Sequence, residues 1–429
     1  MVNMKKKIYL DNAASTPIDK NVAAEMIRAI KLYGNPSSYN DCGREAREYI
    51  ERSRLKAARF LGAHSDEIIF TASGTEANNL AIQGIARSHQ PSDPITKSRI
   101  LDKVGTISHQ LKVKPHIITT RIEHPSVLRP VEWLEKDGFD VSCLSVDKEG
   151  FVSLEEFQKS LRPSTVLVSV MYANNEIGTI EPIVKISKII QNFKIKNSKL
   201  KIHGIAPLFH VDACQATEYL DMNVNRLGVD LLAFNGSKIY GPKGIGALYA
   251  RRGAGLSPLL LGGGQEHGLR AGTENLAAIG GLAVALDRID PKEGERLIVL
   301  RDYFLKEIKN LLPDIVVNGA LNDERLPNNV NISVLGLTSE VLLLELDKYG
   351  ICAGSGSACT SHSVEPPHVL KAIGVSKKYL DGALRFSLGR QTTKKDIDYV
   401  LKVLPKIIKD LRKRYKRFEK SRFSGIIIS

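Results

Sequence analysis

Three short stretches of the chain carry side chains that together suit one kind of chemistry. Lys238 lies in "FNGSKIYGPKGIGALY", between a turn and a glycine-rich return, where partial desolvation can lower the pKa of an amine enough for Schiff-base formation. "HVDACQ" supplies Asp212, which can pair with a pyridinium nitrogen, and Gln215, which can donate to a phenolate oxygen. "SGTEANN" opens a helix at Gly74 and Thr75, whose free amides suit a phosphate. Together, the lysine, the acid and the helix start that can bind a phosphate (the phosphate cradle, Gly74 and Thr75) fit pyridoxal phosphate.

Each stretch taken alone has an ordinary explanation. An isolated lysine is usually a surface residue, an aspartate at a strand end is often a helix cap, and serine–glycine turns commonly precede helices. The prediction of a cofactor site therefore rests on the three stretches in combination.

A fourth stretch, "GSGSACTSHS", holds Cys359 among small polar residues that form solvated loops. Structural cysteines usually have apolar surroundings instead. The five cysteines of the chain show no CxxC spacing, which argues against a disulfide framework or a zinc site and fits a reducing cytoplasm.

The sequence around these residues consists of short β-rich runs that alternate with longer helical patterns, which predicts alternating strands and helices. The apolar runs show no alternation, as in strands buried on both faces: "DEIIFTA", which leads into the helical "GTEANNLAIQGIARS", and "HIITTRIEH", "TVLVSVMYANN", "LFHVDACQ" and "VDLLAFNGSK", which each end in polar residues. A mainly parallel sheet is therefore predicted, with a ligand site beyond the carboxyl ends of its strands. The polar residues expected there are Ser73, Thr75, His124, Asn175, Asp212, Gln215 and Lys238.

After Gly262 the pattern changes to that of a smaller α+β domain with a basic terminal helix. Residues 88–114 and 193–205 look like surface insertions. No apolar run is long enough to cross a bilayer and the start lacks a secretory signal, so a cytoplasmic location without membrane contact is expected. The net charge of +14 can attract acidic partners or nucleic acid, or can reflect a lysine-rich proteome. No RNA-binding motif appears, so direct nucleic-acid binding is not expected.

The order of motifs along the chain resembles that of the cysteine desulfurases, class V members of the fold-type I pyridoxal phosphate enzymes. The matching motifs are "YLDNAASTP", "GNPSS", "SGTEANN", "EHPSV", "NNEIGT", "HVDACQ", "GSKIYGPKGIGAL", "GLRAGTEN", "GSACTS" and "RFSLGR". The resemblance implies a homodimer with a large α/β domain around a seven-stranded sheet, over residues 16–262. It also implies a small domain, from residues 1–15 and 263–429, that carries a mobile loop at about 351–365.

The resemblance also assigns roles. Lys238 would bind the cofactor and move the substrate's Cα proton, and His124 would stack on the ring and assist proton transfer. Asp212 and Gln215 would bind the cofactor ring, and Gly74, Thr75, Asn235 and Ser237 would bind its phosphate. Thr273 would bind the phosphate of the cofactor in the other subunit. Asn175 and Arg385 would bind the substrate carboxylate, and Asn175 would also lie beside the cofactor.

Cys359 would be the nucleophile that takes sulfur from L-cysteine, leaving L-alanine and a persulfide. The long "GSACTS" loop resembles the branch that delivers sulfur to iron–sulfur scaffolds and to tRNA-thiolation proteins. No resident metal is implied; Cys359 would ligate a cluster only transiently, with a scaffold partner. Cys352 lacks the flanking motif and is expected to be a small core residue.

Four residues depart from the family pattern. Ser237 and Asn235 stand where histidine and serine are usual at the phosphate, Asn40 where histidine is common, and His267 where arginine is common. Two alternatives stay open, and the departures favour only the second. One is a selenocysteine lyase or another class V lyase or aminotransferase. The other is a non-catalytic RNA- or partner-binding protein on a degenerate enzyme scaffold.

Overall fold

The computed structural model describes residues 7–89, 114–199, 206–356 and 367–424. Cys359 and most of the 88–114 segment lie outside these ranges. The described strands are β1 (Ile8–Tyr9), β2 (Ile68–Thr71), β3 (His116–Thr120), β4 (Asp140–Leu144), β5 (Thr165–Met171), β6 (Leu208–Asp212), β7 (Leu231–Asn235), β8 (Gly246–Ala250), β9 (Ile315–Val317), β10 (Asn329–Val334), β11 (Ile351–Cys352) and β12 (Ala383–Ser387).

The described helices alternate with these strands through the first half of the chain. They are α1 (Lys20–Ala29), α2 (Asp41–Leu61), α3 (Gly74–Ser88), α4 (Pro125–Lys136), α5 (Leu154–Ser160), α6 (Ile183–Lys199), α7 (Val224–Leu227), α8 (Leu276–Asp287), α9 (Pro291–Leu311), α10 (Ser339–Lys348), α11 (His368–Ala372), α12 (Lys377–Leu380) and α13 (Lys394–Ser424). Helix α6 runs into the segment expected to be an insertion at 193–205. None of the helices in the described ranges is long and apolar enough to span a bilayer.

The central sheet has seven strands in the order β2-β8-β7-β6-β5-β3-β4. All neighbours from β7 to β4 are parallel, and β8 alone opposes the strands on both its sides. Strand β5 is buried along its whole length, as its uninterrupted apolar sequence predicts. The expectation of an α/β fold with a mainly parallel seven-stranded sheet is confirmed.

Other described strands and helices form a smaller α+β unit around a second apolar core. Antiparallel strands β9, β10 and β12 pack with α9, α10 and α13, and the short strand β1 pairs in parallel with β11. Helix α8, which follows Gly262, packs against α1 and α2 and shares the core of the large sheet. The division of the chain at residue 262 stays a prediction.

Sheet register brings the site-forming turns together. Gly246 of β8 pairs with Thr71 on one side and with Asn235 on the other. A Cβ atom at Gly246 would lie 2.5 Å from the carbonyl carbon of Ser73. Glycine is therefore needed for the turn between β2 and α3 to pass over β8 and approach the end of β7.

Candidate active site

A cavity of about 230 Å³ opens where the carboxyl ends of β2, β5, β6 and β7 meet the start of α4 and the strand β12. Among the predicted site residues that lie in the described ranges, only Thr273 is missing from its walls. Those present are Gly74, Thr75, His124, Asn175, Asp212, Gln215, Asn235, Ser237, Lys238 and Arg385. Residues far apart in the sequence thus converge on one cavity, as expected for the carboxyl edge of a parallel sheet.

Lys238 ends a single helical turn that follows β7 directly. Its Nζ donates to the carbonyl oxygen of Ala14 at 2.5 Å. The turn itself is fixed by Thr16, whose amide donates to the carbonyl of Ser237 and whose hydroxyl accepts from the amide of Tyr240. An amine held on a neutral carbonyl beside an open cavity is well placed to reach a carbonyl ligand.

Asp212 is the last residue of β6 and is 5% exposed. Its Oδ2 accepts from Nδ2 of Asn78 at 2.8 Å, and its Oδ1 accepts from the amide of Cys214 at 3.0 Å. No lysine or arginine of the described ranges forms an ion pair with this carboxylate. A buried carboxylate without a cationic partner is costly, and a protonated ring nitrogen of pyridoxal phosphate would supply that partner.

His124 caps the N-terminus of α4. Its Nδ1 accepts from the amide of Ser126 at 3.1 Å, so Nε2 carries the hydrogen of the neutral ring. Burial lowers the pKa of His124; the charge of Asp212 opposes that shift, and the charge of Lys238 adds to it. The ring is therefore neutral near pH 7 and presents an uncharged face for stacking on an aromatic ligand.

The predicted phosphate-binding residues Gly74 and Thr75 lie at the start of α3. Ser73 caps the helix by accepting from the amide of Glu76 at 3.1 Å, which leaves the first-turn amides of Gly74 and Thr75 for an anion. A Cβ atom at Gly74 would stand 2.5 Å from Sγ of Cys214 and 2.8 Å from Nδ2 of Asn235. Ser237 donates from its hydroxyl to Oδ1 of Asn235 at 3.2 Å, so both departures from the family pattern belong to the same wall.

Arg385 reaches the opposite side of the cavity from β12 and is 2% exposed. Its Nη1 donates to the backbone oxygen of Asn175 and its Nη2 to Oδ1 of Asp11, each at 2.9 Å. The guanidinium group is therefore held in one orientation at the cavity wall, where its fork suits a carboxylate.

Three residues at the site were missed by the sequence analysis. Asn78 bridges Asp212 and Ser126, and Asp11 pairs with Arg385. Cys214 lines the cavity, but burial raises the pKa of its thiol well above the usual value, so it stays protonated and unreactive. The position of Asn78, one turn after Gly74 on the same helix, is the only local signal that pointed to any of them.

Other expected residues lie elsewhere. Thr273 is exposed and lines a separate cleft of about 180 Å³ with Arg270. Asn40 caps α2, and His267 adopts a φ of 59°; neither lines the main cavity. Cys352 is a partly buried residue of β11, so its placement in the core was wrong.

Comparison with known proteins agrees with this architecture. Residues 8–100 and 104–400 match the family model for "Aminotransferase class-V". The chain is 46% identical to a protein of Dictyoglomus turgidum named cysteine desulfurase IscS, over 95% of this chain and 96% of that protein.

Solved structures give the same result. A "NIFS-LIKE PROTEIN" superposes with a TM-score of 0.80 at 34% identity, over 94% of this chain and 99% of the other. The structure described as "SspA in complex with cysteine" superposes with a TM-score of 0.72 at 32% identity, over 89% of this chain and 99% of the other. The family and the fold type predicted from the motifs are confirmed.

Proposed function

The chain belongs to the class V aminotransferase family and is a pyridoxal phosphate-dependent cysteine desulfurase, and we propose that Lys238 and Cys359 perform its two successive tasks. Lys238 attaches the cofactor and moves the Cα proton of L-cysteine. Cys359 then accepts the sulfur. The observation that supports the role of Lys238 best is the cavity itself, which Lys238 shares with His124, with buried Asp212 and with the predicted phosphate-binding residues Gly74 and Thr75.

Pyridoxal phosphate, when bound, supplies an electron sink for bonds broken at the substrate's Cα and Cβ. Asp212 would hold the ring nitrogen protonated, Gln215 would donate to the ring oxygen, and the neutral His124 would stack on the ring. The amides of Gly74 and Thr75, with Asn235 and Ser237, would bind the phosphate. Asn175 would lie beside the cofactor and, with Arg385, would hold the substrate carboxylate.

Sulfur transfer is assigned to Cys359 on the strength of its "GSACTS" motif. The Cys359 thiolate attacks the sulfur of L-cysteine, a sulfur–sulfur bond forms, and the carbon–sulfur bond breaks with its electron pair left on the substrate carbon. Protonation of that carbon gives L-alanine, while the persulfide stays on Cys359. Thiolate is the reactive form, so the rate should rise as this thiol deprotonates.

A set of variants tests these roles. Lys238→Ala should lose the visible absorption of bound pyridoxal phosphate after gel filtration. Cys359→Ala should keep that absorption and its change on addition of L-cysteine, yet form no protein persulfide and release no alanine. Asp212→Asn should impair both stages, and Cys352→Ala, the matched control, should impair neither. Persulfide mapped to Cys352, or wild-type alanine release by Cys359→Ala, contradicts the assignment.

We further infer a cytoplasmic homodimer that passes its sulfur to a protein acceptor, an iron–sulfur scaffold or a sulfur carrier. The cysteines in the described ranges are free thiols, as in a reducing compartment. Thr273 lies on an exposed segment away from its own cavity, consistent with a role at the phosphate of the other subunit. Sedimentation should give a dimer, and Thr273→Ala should weaken cofactor binding.

The acceptor is expected to be acidic. Helix α13 exposes lysines at helical spacing along one face, at positions 402, 406, 409 and 413. Such a stripe attracts a partner of opposite charge. Replacing these lysines with glutamate should slow persulfide transfer to an acidic scaffold protein while alanine formation without the acceptor stays unchanged. Equal transfer rates would contradict this docking face.

A further inference from the structure

One nitrogen of the Arg385 guanidinium group has no hydrogen-bond partner among the described residues. Nη1 and Nη2 contact Asn175 and Asp11, whereas Nε has no hydrogen-bond partner among the described residues although the side chain is buried. A buried N–H without a partner is uncommon and points to a missing ligand. An α-carboxylate in the cavity would meet this arginine, so the arginine would then face two carboxylates, that of the ligand and that of Asp11.

The position of Asp11 does not depend on its ion pair. The backbone on either side is bound to Ser387, the end of β12: the Ser387 amide donates to the carbonyl of Leu10 at 2.7 Å, and the amide of Ala13 donates to the Ser387 hydroxyl at 2.9 Å. The amide of Ala14 also donates to the carbonyl of Asp11. A change in the charge of Asp11 therefore leaves the chain beside Arg385 in place.

The contact between Asp11 and Arg385 is also enclosed by Gly354. The backbones of Gly354 and Arg385 exchange two hydrogen bonds, of 3.0 and 2.6 Å. A Cβ atom at Gly354 would lie 2.8 Å from Oδ1 of Asp11 and 3.0 Å from Nη2 of Arg385. Only glycine leaves room for the pair at this position, so the pair is a built part of the cavity wall rather than a chance surface contact.

We propose that Asp11 is a specificity-determining positioning residue, which aims the guanidinium of Arg385 and offsets part of its charge so that α-carboxylates bind weakly enough to exchange. Two carboxylates on one arginine repel each other, and the repulsion is stronger where water is excluded. Substrate L-cysteine and product L-alanine both carry the α-carboxylate, so Asp11 acts on entry and on release alike. The inference rests on the proposed role of Arg385.

The test is Asp11→Asn, which keeps the shape and the acceptor oxygen but removes the charge. Equilibrium titration, followed by the visible absorption of the bound cofactor, should show L-alanine binding roughly three- to tenfold more tightly, the effect of about one nearby charge partly screened by solvent. The KM for L-cysteine should fall by a similar factor while kcat does not rise. Cysteamine, which has the thiol and the amine but no carboxylate, should bind as it does to wild type.

The matched control is Asp19→Asn, which removes the same charge from the same segment, at a helix cap that asparagine also fills. It should change none of these constants. Unchanged or weaker L-alanine binding by Asp11→Asn, or an equal change for cysteamine, would overturn the proposal. Arg385→Lys tests separately whether Arg385 binds the α-carboxylate. If this variant binds L-alanine as the wild type does, the proposed role of Arg385 is wrong, and the proposed role of Asp11 is wrong with it.

Discussion

Gly74→Ala should weaken the binding of pyridoxal phosphate, because the added methyl group has no room. Its Cβ would lie 2.5 Å from Sγ of Cys214 and 2.8 Å from Nδ2 of Asn235, both well inside van der Waals contact. Overpacking of this kind costs roughly 1–3 kcal/mol. The strain falls on the wall that is expected to hold the phosphate, so the dissociation constant should rise by roughly 5- to 150-fold.

The clash has one dominant partner, which allows a double-mutant test. Cys214→Ala removes the nearest atom, whereas Asn235 offers only the end of a flexible side chain. Gly74→Ala combined with Cys214→Ala should therefore recover a large part of the lost affinity. The coupling energy should exceed about 0.5 kcal/mol, the value below which two sites behave as independent.

The assay is titration of each apo variant with pyridoxal phosphate, followed by visible absorption. Gly294→Ala in α9 is the control, since its Cβ would meet nothing closer than Pro327 at 3.7 Å. It should bind the cofactor as wild type does. Wild-type affinity of Gly74→Ala would refute the need for close packing at the cradle, and a double variant no better than Gly74→Ala would refute Cys214 as the obstacle.

Three further outcomes follow from the same contacts. Ser237→His should tighten cofactor binding about fivefold, since a charged hydrogen bond exceeds a neutral one by about 1 kcal/mol; equal affinity would contradict this. Burial lowers the pKa of His210 to about 4, so between pH 7 and pH 5 only the unfolded state takes up a proton at this residue. The free energy of unfolding of the wild type should therefore fall by about 2 kcal/mol more over this range than that of His210→Gln. The exposed control, His267→Gln, should behave as the wild type does. Arg54→Met should lower the free energy of unfolding by about 3–5 kcal/mol, because it leaves Glu266 buried without its ion-pair partner. The double variant with Glu266→Gln should recover part of that loss, and denaturant titration measures both.

Local patterns were enough to predict the sheet and the residues at its edge. Asp212 ends a buried strand, and Lys238 and His124 each follow closely on one. Parallel strands bring such positions to one edge whatever their separation in the chain. The reversed direction of β8 could not be read in this way, since an apolar run has the same appearance in either direction.

Residues that act through distant partners were beyond the reach of sequence patterns. Asp11 and Arg385 are 374 positions apart, and Asn78 meets Asp212 across 134 positions. An aspartate in a turn and an asparagine in a helix are ordinary in those local settings. Their meaning comes only from tertiary contacts, which a single sequence does not reveal.

The segment from Asp11 to Thr16 shows how much of the site depends on a stretch that supplies no reacting group. Beyond the pairing of Asp11 with Arg385, the carbonyl of Ala13 accepts from Nε2 of Gln215 at 3.0 Å, and that of Ala14 from Nζ of Lys238. Neutral carbonyls accept from the amine and the amide that are proposed to serve the cofactor, whereas the carboxylate of Asp11, together with the carbonyl of Asn175, holds the arginine that is proposed to bind the substrate. A neutral amide–carbonyl bond is weaker than a bond between ionised groups, so we expect this segment to hold Arg385, the proposed substrate anchor, more firmly than the amide of Gln215, which is then able to change partners.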